Sequence, residues 1–462
     1  MLRLRKIVFY LFVLLYLILC PLTLLYAFGY LLKPGRMSGL VKTGLISLSS
    51  LPSDASVYIG NSRYTERTPT VLNDLLPGEY DIKLVLKNYR PWMQKIPVQA
   101  EKASPLKVLL VPKQFQPTRL WPGPLETILP LPGTHFFLLK GGARLGDLWG
   151  YNWKTEEGWP LVLPESSLYE AKPVTYFTVE GSPFVLVCVR FQNSEKFLWI
   201  DLRERERPFI DVTRLFPEKP TWVDWDPHDK REIFSLQHGT LNRLDLVSLA
   251  IFPGLVEKVR GYGISGKTLD LLKEDNTLER HNDDGKYLAT LAPPALLNPF
   301  VESPLLEGFF GRKEFFRVKI FSEDYGLLWG EKGELISYLP VRPLVSSGVR
   351  GLEFDPPNRL LIWKEHALGL LTFSEQPEVF WLWENGKNIQ QAFRVYGGSS
   401  VLLRDNEEMI LLERTPYGDP QVYDLFEVQK GSAVFYSEES GKLYFLRPSD
   451  GSLCSAEILP QR

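Results

Sequence analysis

Side chains that could perform metal or acid–base chemistry are few in this 462-residue chain. The five histidines are scattered along it, and no two of them have the spacing of a metal-binding pair. His238, His281 and His366 fall in or beside predicted turns, where a solvated polar role is the usual one. We therefore predict no metal site from the set His135, His228, His238, His281 and His366.

Acidic pairs occur at Asp224/Asp226, Asp283/Asp284 and Glu407/Glu408. A glycosidase needs two carboxyl groups in one cleft, whereas adjacent acids in a strand point to opposite faces of the sheet. Asp283-Asp284-Gly285 is interpreted as a hairpin turn, and calcium binding there is an alternative that lacks an EF-hand ligand set. Gly261-Tyr262-Gly263 is interpreted as a bend and not as a phosphate-binding loop.

The twelve tryptophans raise the hypothesis of a carbohydrate-stacking surface, formed by Trp149, Trp153 and Trp159 or by Trp381 and Trp383. Large aromatic side chains dominate protein cores, so packing between strands is the favoured interpretation. A Gly-x-Ser-x-Gly nucleophile elbow is also absent from the sequence. The sequence thus assigns no catalytic, cofactor-binding or metal residue and predicts no cofactor, which leaves enzyme activity an open question that leans towards no.

Composition points to many short strands joined by tight turns. Aromatic residues make up 13% of the chain, with 35 glycines and 36 prolines. Lys and Arg number 53 against 55 Asp and Glu, for a net charge of −2, which gives no basic face for nucleic acid. With only three cysteines there is no disulfide framework; Cys188 and Cys454 are interpreted as isolated thiols, with a bridge between them as the alternative.

The N-terminal segment predicts a membrane anchor. Residues 7–32 carry no charge over 26 positions, more than the roughly 20 residues that cross a bilayer. Arg3, Arg5 and Lys6 precede them, so the positive-inside rule places residues 1–6 in the cytoplasm and the rest outside. A cleaved signal peptide ending near Ala27-Phe28-Gly29 is the alternative, although the apolar run is long for one.

Residues 43–112 predict a small β domain. Leu45–Ser50, Ser56–Ile59 and Tyr80–Leu86 alternate apolar and polar residues in the manner of strands. Leu76-Pro77-Gly78-Glu79 is predicted to be a tight turn, in which the glycine can take a positive φ. Nothing in this segment has catalytic or metal-ligand character.

This segment resembles the PEGA domain family. The features that carry the resemblance occur in the family's order: Gly44-Leu45-Ile46-Ser47, Asp54-Ala55, Val57-Tyr58-Ile59-Gly60, Thr68-Pro69, Pro77-Gly78-Glu79-Tyr80 and Tyr89. Asn88 stands where the family usually has glycine, and asparagine also tolerates the left-handed conformation. The resemblance implies a β-sandwich-like module of extracytoplasmic envelope proteins and implies no reaction.

Residues 113–462 predict a β-propeller. Turn centres from residue 143 to residue 440 recur at about 42 residues, which is the length of a four-stranded blade. Eight hairpins indicate eight blades, with seven blades or two packed β-sandwiches as alternatives. The hairpins are 136–139/148–153, 184–191/197–202, 233–236/241–246, 269–272/277–280, 325–329/335–339, 360–363/368–373, 401–403/409–412 and 434–436/443–446.

Strands that precede these hairpins resemble those of TolB-type and Trp-Asp-repeat propellers. Trp225-Asp226-Pro227 and Phe354-Asp355-Pro356 share an aromatic-Asp-Pro motif followed by a polar turn. Helical signals are limited to two short stretches, Ser248–Lys258 and Ala292–Leu297.

The sequence therefore predicts an all-β protein with one transmembrane helix, in the order anchor, PEGA-like module and propeller. Its expected function is that of a non-catalytic, membrane-anchored extracytoplasmic binding or scaffold protein, whose propeller loops engage a protein or glycan of the cell envelope. A carbohydrate-active hydrolase or lyase is the alternative, because propellers assemble active sites from separate blades. An accessory subunit of an envelope machine is a third hypothesis.

Overall fold

The computed structural model describes the chain except for residues 1, 28, 34–38, 132, 179–180, 207–208, 227–228, 230, 295–313, 321–322, 330–332, 340, 357, 374–377, 416 and 461–462. His228, Pro227 and residues 295–297 of the predicted helix Ala292–Leu297 lie outside the described residues.

The chain begins with helix α1, Leu2–Ala27, in which Val8–Tyr26 is long and apolar enough to cross a membrane. The sequence predicts a transmembrane helix that extends to residue 32. This prediction is wrong, because the helix ends before that residue. Gly29 has a φ of +77°, and β1 (Tyr30–Lys33) then pairs antiparallel with β2 (Gly39–Lys42). The Tyr26 hydroxyl and Asp74 Oδ2, 3.1 Å apart, connect the helix end to the next module.

That module consists of two facing sheets. The first has the order β6-β3-β9, and the second has the order β5-β4-β7-β8. Ile46, Val57, Ile82 and Trp92 lie in the shared core. The strands are β3 Gly44–Leu51, β4 Ser56–Ile59, β5 Ser62–Arg67, β6 Thr70–Leu75, β7 Gly78–Val85, β8 Trp92–Val98 and β9 Ala103–Leu109.

Two details of the module test the turn predictions. Asn88 has a φ of +69°, which confirms that asparagine takes the left-handed conformation at this position. The predicted turn Leu76–Glu79 is too long, because β7 already begins at Gly78. The positive φ near this turn belongs to Asp74 at +59°.

The rest of the described chain forms eight four-stranded antiparallel sheets, called sheets 1 to 8. Sheets 1 to 4 comprise β11 Thr127–Pro130, β12 Phe136–Lys140, β13 Leu148–Asn152, β14 Glu157–Pro160; β15 Lys172–Thr178, β16 Phe184–Phe191, β17 Ser194–Asp201, β18 Phe209–Asp211; β19 Trp222–Trp225, β20 Glu232–Gln237, β21 Thr240–Asp245, β22 Ala250–Val256; β23 Val259–Ser265, β24 Thr268–Lys273, β25 Leu278–Asn282, β26 Tyr287–Ala292. Sheets 5 to 8 comprise β27 Glu314–Ile320, β28 Glu323–Trp329, β29 Leu335–Leu339, β30 Val341–Ser346; β31 Gly351–Asp355, β32 Arg359–Trp363, β33 Leu368–Thr372, β34 Glu378–Trp383; β35 Ile389–Val395, β36 Ser400–Asp405, β37 Glu408–Glu413, β38 Val422–Glu427; β39 Phe435–Ser437, β40 Lys442–Leu446, β41 Leu453–Glu457 and β10 Thr118–Trp121.

Sheet 8 combines strands from the two ends of this region of the chain. Its order is β10-β41-β40-β39, so a strand from the start of this region completes a sheet made by the end of the chain. The first seven predicted hairpins are the second and third strands of sheets 1 to 7. The eighth, 434–436/443–446, is instead the first two strands of sheet 8, because β10 supplies the fourth strand.

Apolar clusters join neighbouring sheets around a ring. One cluster fills each of the junctions 1–2, 2–3, 3–4, 5–6, 6–7, 7–8 and 8–1. At the junction of sheets 4 and 5, β23 contacts β27. First strands of neighbouring sheets also touch at the pairs β15–β19 and β31–β35, so the first strands are the inner ones. This is a β-propeller and not a pair of β-sandwiches, while the blade number stays a prediction.

Two local predictions are wrong. Ser248–Lys258 was interpreted as a short helix, but Ala250–Val256 is the outer strand β22. Pro253 removes an N–H that a helix would need, and an outermost strand tolerates this loss. Gly261-Tyr262-Gly263 is not a bend, because it lies within β23 with a register shift between Val259 and Gly261.

Several tryptophans pack over a glycine on the paired strand. Gly150 faces Trp159, Gly351 faces Trp363 and Gly369 faces Trp381. A Cβ atom at each of these glycines would lie under 3.0 Å from the indole. Trp153 and Trp159 are buried in clusters between sheets. Their burial confirms the core interpretation for these two side chains.

Gly351→Ala is expected to lower the free energy of unfolding by about 1–3 kcal/mol, the usual cost of overpacking a core. The added methyl would lie 2.0 Å from Trp363 Cζ2. Chemical denaturation of the full chain measures the loss. Gly78→Ala is the matched control, because the nearest atom to its added methyl is 4.0 Å away. Equal stability of the two variants would contradict the prediction.

Candidate functional site

Charged side chains converge where the inner strands of sheets 6, 7 and 8 and the third strand of sheet 7 end. We call Glu353, Asp355, Arg394, Arg414 and Glu438 the inner-strand cluster. Glu353 and Asp355 share one face of β31, Arg394 lies on β35, and Glu438 directly follows β39. Arg414 directly follows β37. Three consecutive sheets therefore contribute to one group of charges.

Asp355 is the most buried carboxylate of this cluster, at 2% exposed. Its Oδ2 lies 3.1 Å from Arg414 Nη2 and 3.2 Å from Arg359 Nε. A buried carboxylate is stable only when cations or hydrogen bonds compensate for lost hydration. The aspartate of the Phe354-Asp355-Pro356 motif thus fixes the turn after β31 against sheet 7.

Glu353 differs from Asp355, because no arginine side chain lies within ion-pair distance of it among the described residues. Its Oε2 accepts a hydrogen bond from the backbone N–H of Arg394 at 3.0 Å. Burial raises the pKa of Glu353 to about 7, although this hydrogen bond and the Arg394 charge oppose the rise. Glu438 and Asp355 add to it through charge repulsion. A carboxyl group of this kind holds its proton near neutral pH and can donate it.

Glu438 and Tyr436 complete the surroundings of Glu353. Glu438 Oε2 lies 3.7 Å from Arg394 Nη2, and its side chain is half exposed. The Tyr436 hydroxyl is buried without a hydrogen-bond partner in the described part of the chain, and burial raises its pKa. The cluster therefore brings together three carboxyl groups, but its contacts at hydrogen-bond or ion-pair distance connect them to arginines and the backbone.

The β-sandwich module docks on sheet 7 next to this cluster. The Trp92 indole N–H donates to Glu413 Oε2 at 2.6 Å, and Arg90 Nη2 donates to the Asp424 carbonyl at 2.9 Å. Gln94 donates to the Tyr417 carbonyl, and Gln421 donates to the Met93 carbonyl. We call these contacts the module junction. Tyr417 also packs on the module core, so the junction is both polar and apolar.

Comparisons with known proteins agree with both units. The PEGA domain model matches residues 43–114. The C-terminal WD40 domain of Sif2 is similar in structure over 76% of this chain and 99% of its own, with a TM-score of 0.50 and 9% identity. The β-propeller domain of Cps50 (Swd1) from Myceliophteria thermophila covers 74% of this chain and 98% of its own, at a TM-score of 0.38 and 10% identity. No curated protein matches the chain.

The family match confirms the PEGA resemblance, and the similarity to the WD40 domain of Sif2 confirms the propeller fold. At 9% identity, the similarity to the WD40 domain shows the fold alone. The function must therefore be argued from the side chains of this chain.

The histidines are not brought together. His281 lies beside a turn, as the sequence predicts, but the predicted solvated role is wrong. It is buried in β25, where Nδ1 donates to the Gly285 carbonyl at 2.8 Å and Nε2 lies 2.9 Å from Glu279 Oε2. His238 is exposed at a turn beside Glu218, and His135 packs on Trp153. Within the described ranges, no group of three or more His, Cys, Asp or Glu is arranged to hold a metal ion.

Two further sequence features have structural explanations. Gly261–Thr268 has the glycine, lysine and threonine spacing of a P-loop, which the sequence interpretation did not recognise. The structure makes it the hairpin of β23 and β24, and a P-loop requires a helix at this point. Cys188 and Cys454 are buried free thiols in sheets 2 and 8, which confirms the interpretation as isolated thiols.

The sequence could not assign the inner-strand cluster as a unit. The sequence already places Glu353 and Asp355 in one predicted strand that ends in the aromatic-Asp-Pro motif. Arg394, Arg414 and Glu438 come from other sheets, 39 to 85 residues away along the chain. Only the ring of sheets brings them together.

Proposed function

We propose that this protein is a membrane-anchored, non-catalytic binding or scaffold protein whose propeller engages a protein or glycan partner at the cell envelope. The observation that carries the proposal is the module junction. It fixes the propeller to the PEGA-type module, and Tyr26 and Asp74 connect that module to the apolar helix. A propeller mounted in this way is a rigid platform whose loops are its variable surface.

The proposed topology is single-pass, with residues 1–6 in the cytoplasm and the bulk of the chain outside. Three basic residues that precede the apolar stretch Val8–Tyr26 support this orientation by the positive-inside rule. Protease protection of the full chain in right-side-out vesicles tests it. Sequencing of the mature N-terminus is the second test, because a chain that starts after Gly29 would refute the anchor.

A pull-down of the full chain from solubilised membranes, combined with a glycan-binding screen, tests the binding role. A stoichiometric protein partner supports a scaffold, including an accessory subunit of an envelope machine. Recovery of a glycan alone supports glycan binding and counts against the accessory-subunit reading. Failure to recover either class would refute the proposed function.

A carbohydrate-active hydrolase or lyase is the second candidate, and Glu353 is the observation that favours it. A carboxyl group with a pKa raised to about 7 is suited to general acid catalysis. In this hypothesis Glu353 donates the proton to the leaving oxygen, and the half-exposed Glu438 acts as the second carboxylate.

Under the enzyme hypothesis, Glu353→Gln is expected to slow glycan cleavage by about 10²-fold or more, because glutamine cannot donate that proton. Product release from envelope glycans, followed by chromatography, measures the rate. Glu427→Gln, an exposed position on β38, is the control. Cleavage by the wild type that survives Glu353→Gln would exclude Glu353 as the acid, and no cleavage at all would favour the binding role.

A further inference from the structure

A cavity of about 650 Å³ opens between sheets 5 and 6, away from the inner-strand cluster. This volume lies within the usual range of small-molecule sites. Its described lining comes from Trp329 and Gly333, from the turn between β32 and β33, and from the connection that precedes β31. We call it the loop cavity.

The walls of the loop cavity are fixed before any ligand arrives. The Val349 N–H donates to the Gly333 carbonyl at 2.8 Å, and the Trp329 indole N–H donates to the Val349 carbonyl at 3.0 Å. Gly333 has a φ of +82°, and a Cβ atom there would lie 2.4 Å from the Val349 oxygen. Only glycine permits this approach of the two loops, so the cavity shape is built into the backbone.

Three basic side chains and one acid line the loop cavity. Arg350 Nη2 lies 2.9 Å from Glu365 Oε2, and Arg350 also donates to Asn388. The Lys364 ammonium lies 4.7 Å from the centre of the Trp381 ring, and no carboxylate in the described part of the chain lies within ion-pair distance of it. Burial lowers the pKa of Lys364. Glu365 is thus neutralised by Arg350, and the positive charge of Lys364 is left without an acidic partner.

His366 adds a group that can both donate and accept. Its Nδ1 lies 2.8 Å from the Gly386 carbonyl, which can only accept, so Nδ1 carries the proton. Nε2 is then an acceptor in the neutral ring and a donor in the charged ring. Trp329, Val349 and Ala367 supply an apolar part of the wall.

We propose that the loop cavity binds a sugar that carries a carboxylate or a phosphate. The anionic group neutralises Lys364 and reaches Arg350. The apolar face of the sugar ring packs on the Trp329 side of the cavity, and hydroxyl groups meet His366 and Glu365 as donors and acceptors. This inference rests on the glycan arm of the proposed function and adds the ligand class.

Calorimetric titration of the full chain in detergent tests this inference with four probes: glucuronic acid, glucose 6-phosphate, glucose and inorganic phosphate. We expect at least one acidic sugar to bind tenfold or more tightly than glucose and than inorganic phosphate. The two acidic sugars distinguish a carboxylate from a phosphate ligand. Equal binding of glucose and both acidic sugars would overturn the anion requirement, and phosphate binding as tight as the sugars would overturn the sugar requirement.

Lys364→Met keeps an unbranched side chain at this position and removes the charge, so it is expected to weaken acidic-sugar binding about tenfold or more. Lys430→Ala is the matched control, because Lys430 is an exposed lysine beside sheet 7. His366→Ala is the second variant if Lys364→Met fails to fold. Unchanged affinity in the folded variants would overturn the proposed site.

The acidic-sugar proposal and the proposed function can be overturned independently of each other. A protein or neutral glycan recovered in the membrane pull-down, with no acidic sugar bound in the titration, overturns the ligand class alone. Recovery of no partner of either class overturns the proposed function itself.

Discussion

Trp92→Ala is expected to lower the free energy of unfolding of the chain by about 3–5 kcal/mol, the range for deleting a buried tryptophan side chain. Trp92 is 1% exposed and belongs to the module core, so its removal leaves a large cavity. Its indole N–H is also the donor to Glu413, which is 3% exposed. The variant therefore loses module packing and leaves a buried carboxyl group without its donor.

Two measurements separate these effects. Chemical denaturation of the full chain in detergent gives the change in stability, and hydrogen exchange of residues 413–424 reports on the junction. Trp92→Phe keeps most of the ring and removes the donor, so we expect a smaller loss of about 1–3 kcal/mol with faster exchange at the junction.

Met93→Ala is the matched control for Trp92→Ala. Met93 is the next residue of β8, its side chain is 59% exposed, and only its backbone carbonyl contributes to the junction. We expect it to stay close to the wild type in both measurements. A Trp92→Ala variant as stable as Met93→Ala would contradict the role assigned to the junction.

The hairpins of the propeller could be predicted because their signal is local. Phe184–Phe191 and Ser194–Asp201, for example, are apolar runs around a two-residue turn, and Gln192 and Asn193 take the positive φ values that such turns need. Pattern and turn chemistry agree within one short stretch, and tertiary packing only adds to them.

The closing strand of sheet 8 could not be predicted in the same way. Thr118–Trp121 pairs with Leu453–Glu457, more than 330 residues later in the chain. Nothing in four residues of sequence encodes that distant partner, since the pairing follows from closing the ring. The last predicted hairpin, 434–436/443–446, is confirmed as β39 and β40, and only its place as the first two strands of the sheet depends on the distant strand β10.

The candidate sites depend on distant residues even more strongly. Trp92 and Glu413 are 321 positions apart, and no residue-type pattern connects an apolar strand of the module with the end of β37. His281 shows the opposite error, because a polar residue near a turn was assumed to be solvated. The Gly285 carbonyl and Glu279 satisfy both of its ring nitrogens, which allows it to be buried.

The second large expected effect is a pH dependence of the free energy of unfolding, and Glu413 is its source. Burial raises the pKa of Glu413 from 4.5 to about 7, and the Trp92 hydrogen bond only partly opposes this. Burial raises the pKa of the nearby Tyr423, and the charge of Glu413 raises it further. Between pH 4.5 and 7 the folded chain therefore keeps a proton that the unfolded chain has lost.

Because the folded chain holds this extra proton, the free energy of unfolding falls as pH rises. The contribution of Glu413 to stability is fully present below about pH 4.5 and is lost as pH rises through about 7. A rise of this size corresponds to about 3 kcal/mol for one carboxyl group. Glu353, whose pKa is also raised to about 7, adds a change of the same sign.

Glu413→Gln is expected to remove the contribution of Glu413 to this pH dependence. The free energy of unfolding falls between pH 5 and pH 8 in both proteins, and the fall is expected to be about 3 kcal/mol smaller in Glu413→Gln than in the wild type. Denaturation curves at several pH values measure the slope. Glu427→Gln, on the exposed face of the adjacent strand β38, is expected to retain the wild-type slope. A Glu413→Gln slope equal to that of the wild type would contradict the assignment.

The same titration should loosen the module junction in alkaline solution. Above pH 7 the ionised Glu413 stays buried with only the Trp92 N–H at hydrogen-bond distance among the described side chains, and water would solvate it better than the junction does. Hydrogen exchange of residues 413–424 is therefore expected to be faster at pH 8 than at pH 5.5 after correction for the intrinsic rate. The difference should disappear in Glu413→Gln, whose uncharged amide fits the junction at both pH values. If the difference persists, another group at the junction must be responsible for the pH dependence.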